Sequence, residues 1–488
     1  MNRGFRQPAG IWVLFLAEMW ERFSYYGMRA LLVLYLVAST GGGAHRNPGF
    51  GWSEGSAYLL YGTYTWAVYL MPIVGGLLAD RLLGTHRSLV LGGWIIAAGH
   101  LTLAATELFG VEPGRAVTLA SGPGALICFL TGLTLVVIGT GFFKPCAAVM
   151  VGQLYGADDP RRDAGFTIYY LGINVGALLA PLVAGTLGET VGWHWGFGAA
   201  AVGMIVGILS YQWLRPRYLD GIGWAPQPRT RSPDGAQSGA FEPPVGGPPP
   251  ATRARLGPLS RVAWQRGGVI VILALVGNIA FWTAFEQAGS SMNVFAARRT
   301  DRTVWGLLAQ PFPATWYQAV NPAAVLVFAP LFAWLWPALG RRGLDPPTPV
   351  KFALGLWLLG LAFLAMVLGA LEARAQGLAG PHWLLITFVV YTWGELCLSP
   401  VGLSMVTRLA PAHLQALLMG LWYFSFSLSN LLAGLVARVS VALARGQWTF
   451  FMEGLPGFYL FLVVMPVAAG CLIMALSPLL RRWMHGVH

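Results

Sequence analysis

The sequence predicts an all-α integral membrane protein with twelve crossings arranged as two blocks of six helices. Three observations carry this expectation. Of 488 residues, 56% are hydrophobic and 10% charged, whereas a soluble chain averages about 25% charged. Apolar runs of roughly 20 residues, the length a helix needs to cross hydrocarbon, recur twelve times. A long Pro-, Gly-, Ser- and Arg-rich stretch then separates the sixth run from the seventh.

The first run, 11–38, is expected to be a retained helix, because no small-residue cleavage site follows it. Runs at 55–79, 88–109, 124–150, 165–188 and 194–214 complete an N-terminal bundle over 1–214. Residues 215–266 include "APQPRTRSPDGAQSGAFEPPVGGPPPATRARLGP", which has no apolar stretch long enough to span and predicts an unstructured linker. Runs at 267–296, 316–338, 350–371, 381–406, 412–440 and 456–480 form a C-terminal bundle over 267–488. Cys128, Cys146, Cys397 and Cys471 lie in apolar runs without paired or ligand-like spacing. Neither disulfides nor a metal is expected.

The net charge of +12 does not point to nucleic acid, because its distribution follows the membrane. With the N-terminus inside, the segments on that side carry Arg3, Arg6, Arg81, Arg87, Arg161, Arg162, the eight arginines from Arg215 to Arg266, Arg341, Arg342, Lys351, Arg408, Arg481 and Arg482. The other side carries far fewer. The positive-inside bias places both termini in the cytoplasm. The cluster Arg298, Arg299, Arg302 is its one exception.

Ionisable residues within the runs mark the candidate site. "AEMWERFSYYGMRALLVLYL" (17–36) plants Glu18, Glu21, Arg22 and Arg29 in an otherwise apolar crossing, at roughly 2.5 to 3.5 kcal/mol each near a bilayer centre. At 3.6 residues per turn, Glu18, Arg22, Tyr25 and Arg29 share a stripe, with Glu21 at its edge. Such a face turns toward a protein interior or an aqueous cavity. Lys144, the only charge in the fourth run and one of two lysines in the chain, sits beside Pro145 and near Gly141, where a loosened helix can line a cavity. Glu286 and Glu395 are the only acids deep in the seventh and tenth runs.

Depth suggests partners for these groups. Arg29 lies 18 residues beyond Ile11, and Glu286 lies 18 residues beyond Gly268. Both are then about 27 Å from the cytoplasmic entry at 1.5 Å per residue, level with each other near the outer face. Lys144 and Glu395 fall in the inner half. Each pair bridges the two blocks, one outside and one inside, as alternating access requires of two gates.

The segment "GGLLADRLLGTHRSLVLGG" after the second run, with Asp80, Arg81, Gly84 and Arg87 in place, resembles the loop 2–3 signature of the major facilitator superfamily. That fold also has two six-helix halves with the substrate near the midplane between them. "EMWERFSYYGMR" resembles the ExxERFxYYG signature of the proton-coupled oligopeptide transporter (POT) family within that superfamily. Ordered matches continue in "GFFKPCAAVMVGQLY", "FTIYYLGINVGALLAPL", "FWTAFEQAGS", "QAVNPAAVLVFAPLFAWLW" and "YTWGELCLSPVGLS". The resemblance implies that Glu18, Glu21 and Arg22 couple proton movement to substrate, and that Arg22 and Lys144 attract a peptide carboxylate. It implies that Asn174, Asn321 and Glu395 hold the peptide backbone and amino terminus, and that Tyr26, Tyr69, Trp282 and Trp422 shape side-chain pockets. Glu286 matches an acid that takes a proton and pairs with the residue matching Arg29.

Two departures from the family accompany these matches. Residues 215–266 cannot supply the two extra helices that many bacterial members carry, and Gly62 stands where animal members have a histidine, which leaves coupling to carboxylates. The expectation is a proton-coupled symporter of di- and tripeptides in a bacterial inner membrane, with a monomeric functional unit and no cofactor. Arg22 and Lys144 facing Glu395 complement a zwitterionic peptide. The alternative is a major facilitator carrier for nitrate, an organic acid or a drug. A membrane enzyme is disfavoured, because no nucleophile–base pair or metal-ligand cluster is present.

Overall fold

The computed structural model describes residues 7–41, 47–156, 159, 161–223, 261–410 and 414–486. Among these, twelve long helices carry the chain: α1 Gly10–Val37, α2 Glu54–Leu83, α3 Thr85–Phe109, α4 Pro123–Gln153, α5 Ala164–Thr190, α6 Trp193–Tyr218, α7 Arg261–Arg299, α8 Ala314–Arg341, α9 Thr348–Gln376, α10 His382–Leu409, α11 Leu417–Ala444 and α12 Gly454–Met484. No β-structure beyond isolated bridges forms among the described residues. A lipid-facing chain has no water to satisfy its backbone, so helices that bond internally are the stable solution. Eleven of these helices are long and apolar enough to cross a membrane. α1 differs from them by carrying four ionisable groups.

Local chemistry sets the helix ends. Ser53 Oγ accepts from Ser56 N at 3.2 Å and caps α2, with Glu54 in the first turn complementing the helix dipole. α4 opens with Pro123, whose missing N–H costs nothing there. α6 closes with Arg215 and Arg217 in its last turn. α7 is continuous but irregular: a π-helical turn spans Leu273–Asn278, and a 3₁₀ turn spans Glu286–Gly289. Backbone irregularity of this kind gathers at functional places in helices.

The fold is a pair of six-helix bundles. In the first, α3 packs on α4 and α6, α1 on α5 and α6, and α2 on α4. In the second, α9 packs on α10 and α12, and α8 on α10. The bundles meet through α2 against α11, α5 against α8, and α1 against α7. A β-carbon on Gly62 would fall 2.7 Å from Gly434 Cα, so α2 and α11 touch backbone to backbone. No side chain, a histidine least of all, fits at Gly62 without moving α11.

Helix ends run somewhat past the apolar runs. α6 continues to Tyr218, and the chain beyond it folds back onto α3: Gly223 O accepts from His86 N at 2.9 Å, and Ile222 O accepts from Arg215 Nη2 at 3.0 Å. α7 begins at Arg261. The expected linker 215–266 is thus helical or folded at both margins, and its central part, 224–260, lies outside the described residues.

Candidate functional site

The charged stripe of α1 is buried and internally paired. Glu18, Glu21 and Arg22 are 2%, 1% and 4% exposed. Arg22 Nε lies 3.2 Å from Glu18 Oε1, its Nη2 donates to Glu21 Oε1 at 2.7 Å, and Nε also contacts Glu21 Oε2. Tyr169 of α5 donates its hydroxyl to Glu18 Oε2 at 2.6 Å. α5 comes this close because Gly176 faces α1: a β-carbon there would lie 2.2 Å from Met19 O. Two carboxylates share one guanidinium, so protonating either changes how firmly Arg22 is held.

Farther along the same stripe, Arg29 Nη2 forms an ion pair with Glu286 Oε2 of α7, and Arg29 Nε donates to Tyr61 Oη of α2 at 2.6 Å. The Tyr61 hydroxyl is itself 3.3 Å from Glu286 Oε2, and Tyr26 lays its ring 5.6 Å from the Arg29 guanidinium. All three polar partners are buried. Such a pair is costly to desolvate, and much costlier to leave half-made.

Contacts sequence reasoning missed cluster toward the same end of the bundles, where α1 and α7 finish. Arg298 Nη1 pairs with Glu54 Oε1 at 2.6 Å, and its Nη2 donates to Val37 O at 3.1 Å. Asn293 Nδ2 donates to Ala30 O at 2.8 Å. Glu189 of α5 accepts from Ala314 N, Thr315 N and Thr315 Oγ1 at 2.9, 2.8 and 2.7 Å, capping the start of α8. Arg302 Nη1 lies 3.7 Å from Glu189 Oε2. The one visible signal was the Arg298, Arg299, Arg302 cluster against the charge bias, since two of its members find acids or carbonyls here.

The other expected pair is not made. Lys144 has no ion-pair partner among the described residues; its Nζ sits 4.1 Å from the Tyr69 ring centroid, a cation–π contact. Glu395 instead accepts from Asn321 Nδ2 at 2.9 Å, and Asn321 also donates to Thr392 Oγ1 at 2.9 Å. The Lys144–Glu395 ion pair is therefore corrected to two separately held charges of opposite sign. The physical reason is that the bundles join at the far end, while α4 and α10 carry these charges toward the near one.

The remaining residues divide. Asn174 turns back on its own helix, donating to Tyr170 O at 3.0 Å. Tyr26, Tyr69 and Trp282 are half-buried. Trp422 is 1% exposed, wedged against Gly402 of α10 and edge-on to Phe352 of α9 at 6.1 Å. It is a core residue here and lines no open wall. Asp80, Arg81 and Arg87 are exposed around Gly84, whose φ of +77° lets the chain turn between α2 and α3.

Comparison with known proteins follows the same outline. The POT family description matches residues 86–220 and 265–449. The uncharacterized transporter YclF of Bacillus subtilis is 36% identical, covering 99% of this chain and 96% of that protein. A peptide transporter of Yersinia enterocolitica is 36% identical over 88% of each. A di-/tripeptide transporter of Lactococcus lactis subsp. cremoris is 34% identical over 94% of this chain and 95% of its own. Among solved structures, the peptide transporter POT in complex with sulfate superposes with a TM-score of 0.79 at 32% identity, covering 98% and 96% of the two chains. A mutant of a peptide transporter POT in complex with alafosfalin gives 0.80 at 31%, covering 99% and 98%.

Proposed function

The chain belongs to the POT family, and on that premise we propose that it carries di- and tripeptides together with protons across the membrane by alternating access. Its activity is translocation and not catalysis. The observation that carries the reading is the separation of Lys144 from Glu395: a cation on one bundle and an anion on the other, neither with an ion-pair partner among the described residues. A zwitterionic peptide supplies a carboxylate for the first, assisted by Arg22, and an ammonium for the second, held in place by Asn321. Asn174 adds backbone contact, while Tyr26, Tyr69 and Trp282 offer aromatic walls to side chains. Recognition through the termini gives breadth of substrate.

The arginine bias supports a cell inner membrane location with both termini cytoplasmic. The end tied together by Arg29–Glu286, Glu54–Arg298 and Glu189 is then the outer one, an arrangement closed to the outside. Residues 1–214 and 267–488 rock against each other, joined by 215–266, and one chain is the working unit. Asp80, Arg81, Gly84 and Arg87 form the cytoplasmic loop 2–3 motif. Competition tests the substrate class: dialanine should displace a labelled dipeptide from the purified protein, whereas free alanine, one residue shorter, and nitrate should not. Displacement by nitrate and not by dialanine would overturn it.

Coupling is proposed to run through the carboxylates. A proton on Glu21 removes its grip on Arg22 and frees the guanidinium for the peptide carboxylate; Glu18 and Glu286 act in the same cycle. Glu21→Gln is expected to lose accumulation against a gradient while retaining counterflow exchange, which needs no net proton cycle. Undiminished accumulation by Glu21→Gln would take Glu21 out of the coupling path.

A further inference from the structure

Asn278 is completely buried in α7, at the last position of the π-helical turn, in a run where nothing about charge draws attention to it. Both ends of its amide are engaged. Trp282 Nε1 donates to Asn278 Oδ1 at 2.8 Å, and Asn278 Nδ2 donates to Ser425 Oγ of α11 at 2.7 Å. Ser425 in turn gives its only proton to Trp422 O at 2.6 Å, so it can only accept from Asn278. An indole N–H can only donate. Both neighbours thus dictate one orientation of the amide, with its oxygen toward Trp282 and its nitrogen toward Ser425.

The consequence falls on Trp282. This half-buried ring lies one helical turn before Glu286, between Phe285 at 4.8 Å and Phe426 at 5.0 Å. Those contacts are edge-on and tilted and are non-directional, so they pack the ring without giving its N–H a partner. The bond to Asn278 supplies that directional contact, and the continuation to Ser425 ties it to α11. We infer that Asn278 is a positioning residue that holds Trp282 in one pose and so sets the preference for substrate side-chain size. This rests on the proposed place of Trp282 in the peptide site.

The test is the ratio of KM values for a phenylalanine-containing dipeptide and dialanine, measured in the reconstituted full chain. Losing one hydrogen bond of ordinary strength corresponds to about 3- to 10-fold, and Asn278→Ala is expected to shift the ratio by that amount. Ser425→Ala, a milder change at the far end of the chain of bonds, should shift it in the same direction by less. In a Trp282→Phe background, where no N–H remains to be held, Asn278→Ala should add nothing. An equal change in KM for both peptides, or full additivity with Trp282→Phe, would overturn the proposal. If Trp282→Ala itself leaves the ratio unchanged, Trp282 is no part of the site and the inference falls with that assignment, whereas transport of peptides as such would stand.

Discussion

Lys144→Ala is expected to abolish proton-driven dipeptide uptake while the protein still inserts and purifies as a single species. Lys144 holds no ion pair that the fold depends on among the described residues; it rests on the Tyr69 ring. Its removal leaves the bundle packing intact and withdraws the cation proposed to meet the peptide carboxylate. Truncating one member of a buried charge pair costs about 2 to 5 kcal/mol, or about 30-fold and upward in affinity. Arg22, shared by Glu18 and Glu21 until a proton releases it, is proposed to assist the lysine and is not expected to replace it. Binding and uptake measured side by side check this. Wild-type uptake in Lys144→Ala would remove Lys144 from the site.

The second large effect concerns the closed end. Arg29→Ala or Glu286→Ala leaves one buried charge stranded, at about 3 to 5 kcal/mol, enough to move a closed population by two orders of magnitude or more. Replacing both partners by apolar residues should disturb closure less than either single change. Tyr61 shares in the cluster, so Tyr61→Phe should weaken closure modestly by removing one acceptor from Arg29. A proton on Glu286 is proposed to act like the neutral variant, so lower pH on the proposed outer side is expected to favour opening there. Spin labels near the outer ends of α1 and α7 should report a longer distance at low pH in the wild type and no pH response in Glu286→Gln. A response that persists in Glu286→Gln places the proton switch at Glu18 and Glu21 instead.

What the sequence made legible follows from what is costly in lipid. Charges in an apolar run announce themselves, so the α1 stripe, Lys144, Glu286 and Glu395 stood out at once. Counting residues from the membrane edge set Arg29 level with Glu286, and in the structure they pair. The same counting set Lys144 near Glu395, and they do not. Depth is a property of the chain, but pairing across two bundles belongs to one arrangement of them. A transporter has at least two. Less visible were neutral groups whose role comes from partners far along the chain: Gly62 against Gly434, and Asn278 between Trp282 and Ser425. Glu189 is an acid near a helix end in the sequence, and only the fold brings the start of α8 onto it. Trp422 rested on the family resemblance alone, and in this arrangement it is buried against Gly402 and Phe352.

A proton gradient is proposed to drive peptide accumulation through this chain. Its most direct measurement is uptake of labelled dialanine into liposomes containing the purified protein, with the outside more acidic and the membrane potential clamped. Accumulation above equilibrium is expected, collapsing when a protonophore dissipates the gradient, with exchange of preloaded peptide continuing afterward. Dialanine that merely equilibrates, at the same rate with and without the gradient, would contradict it.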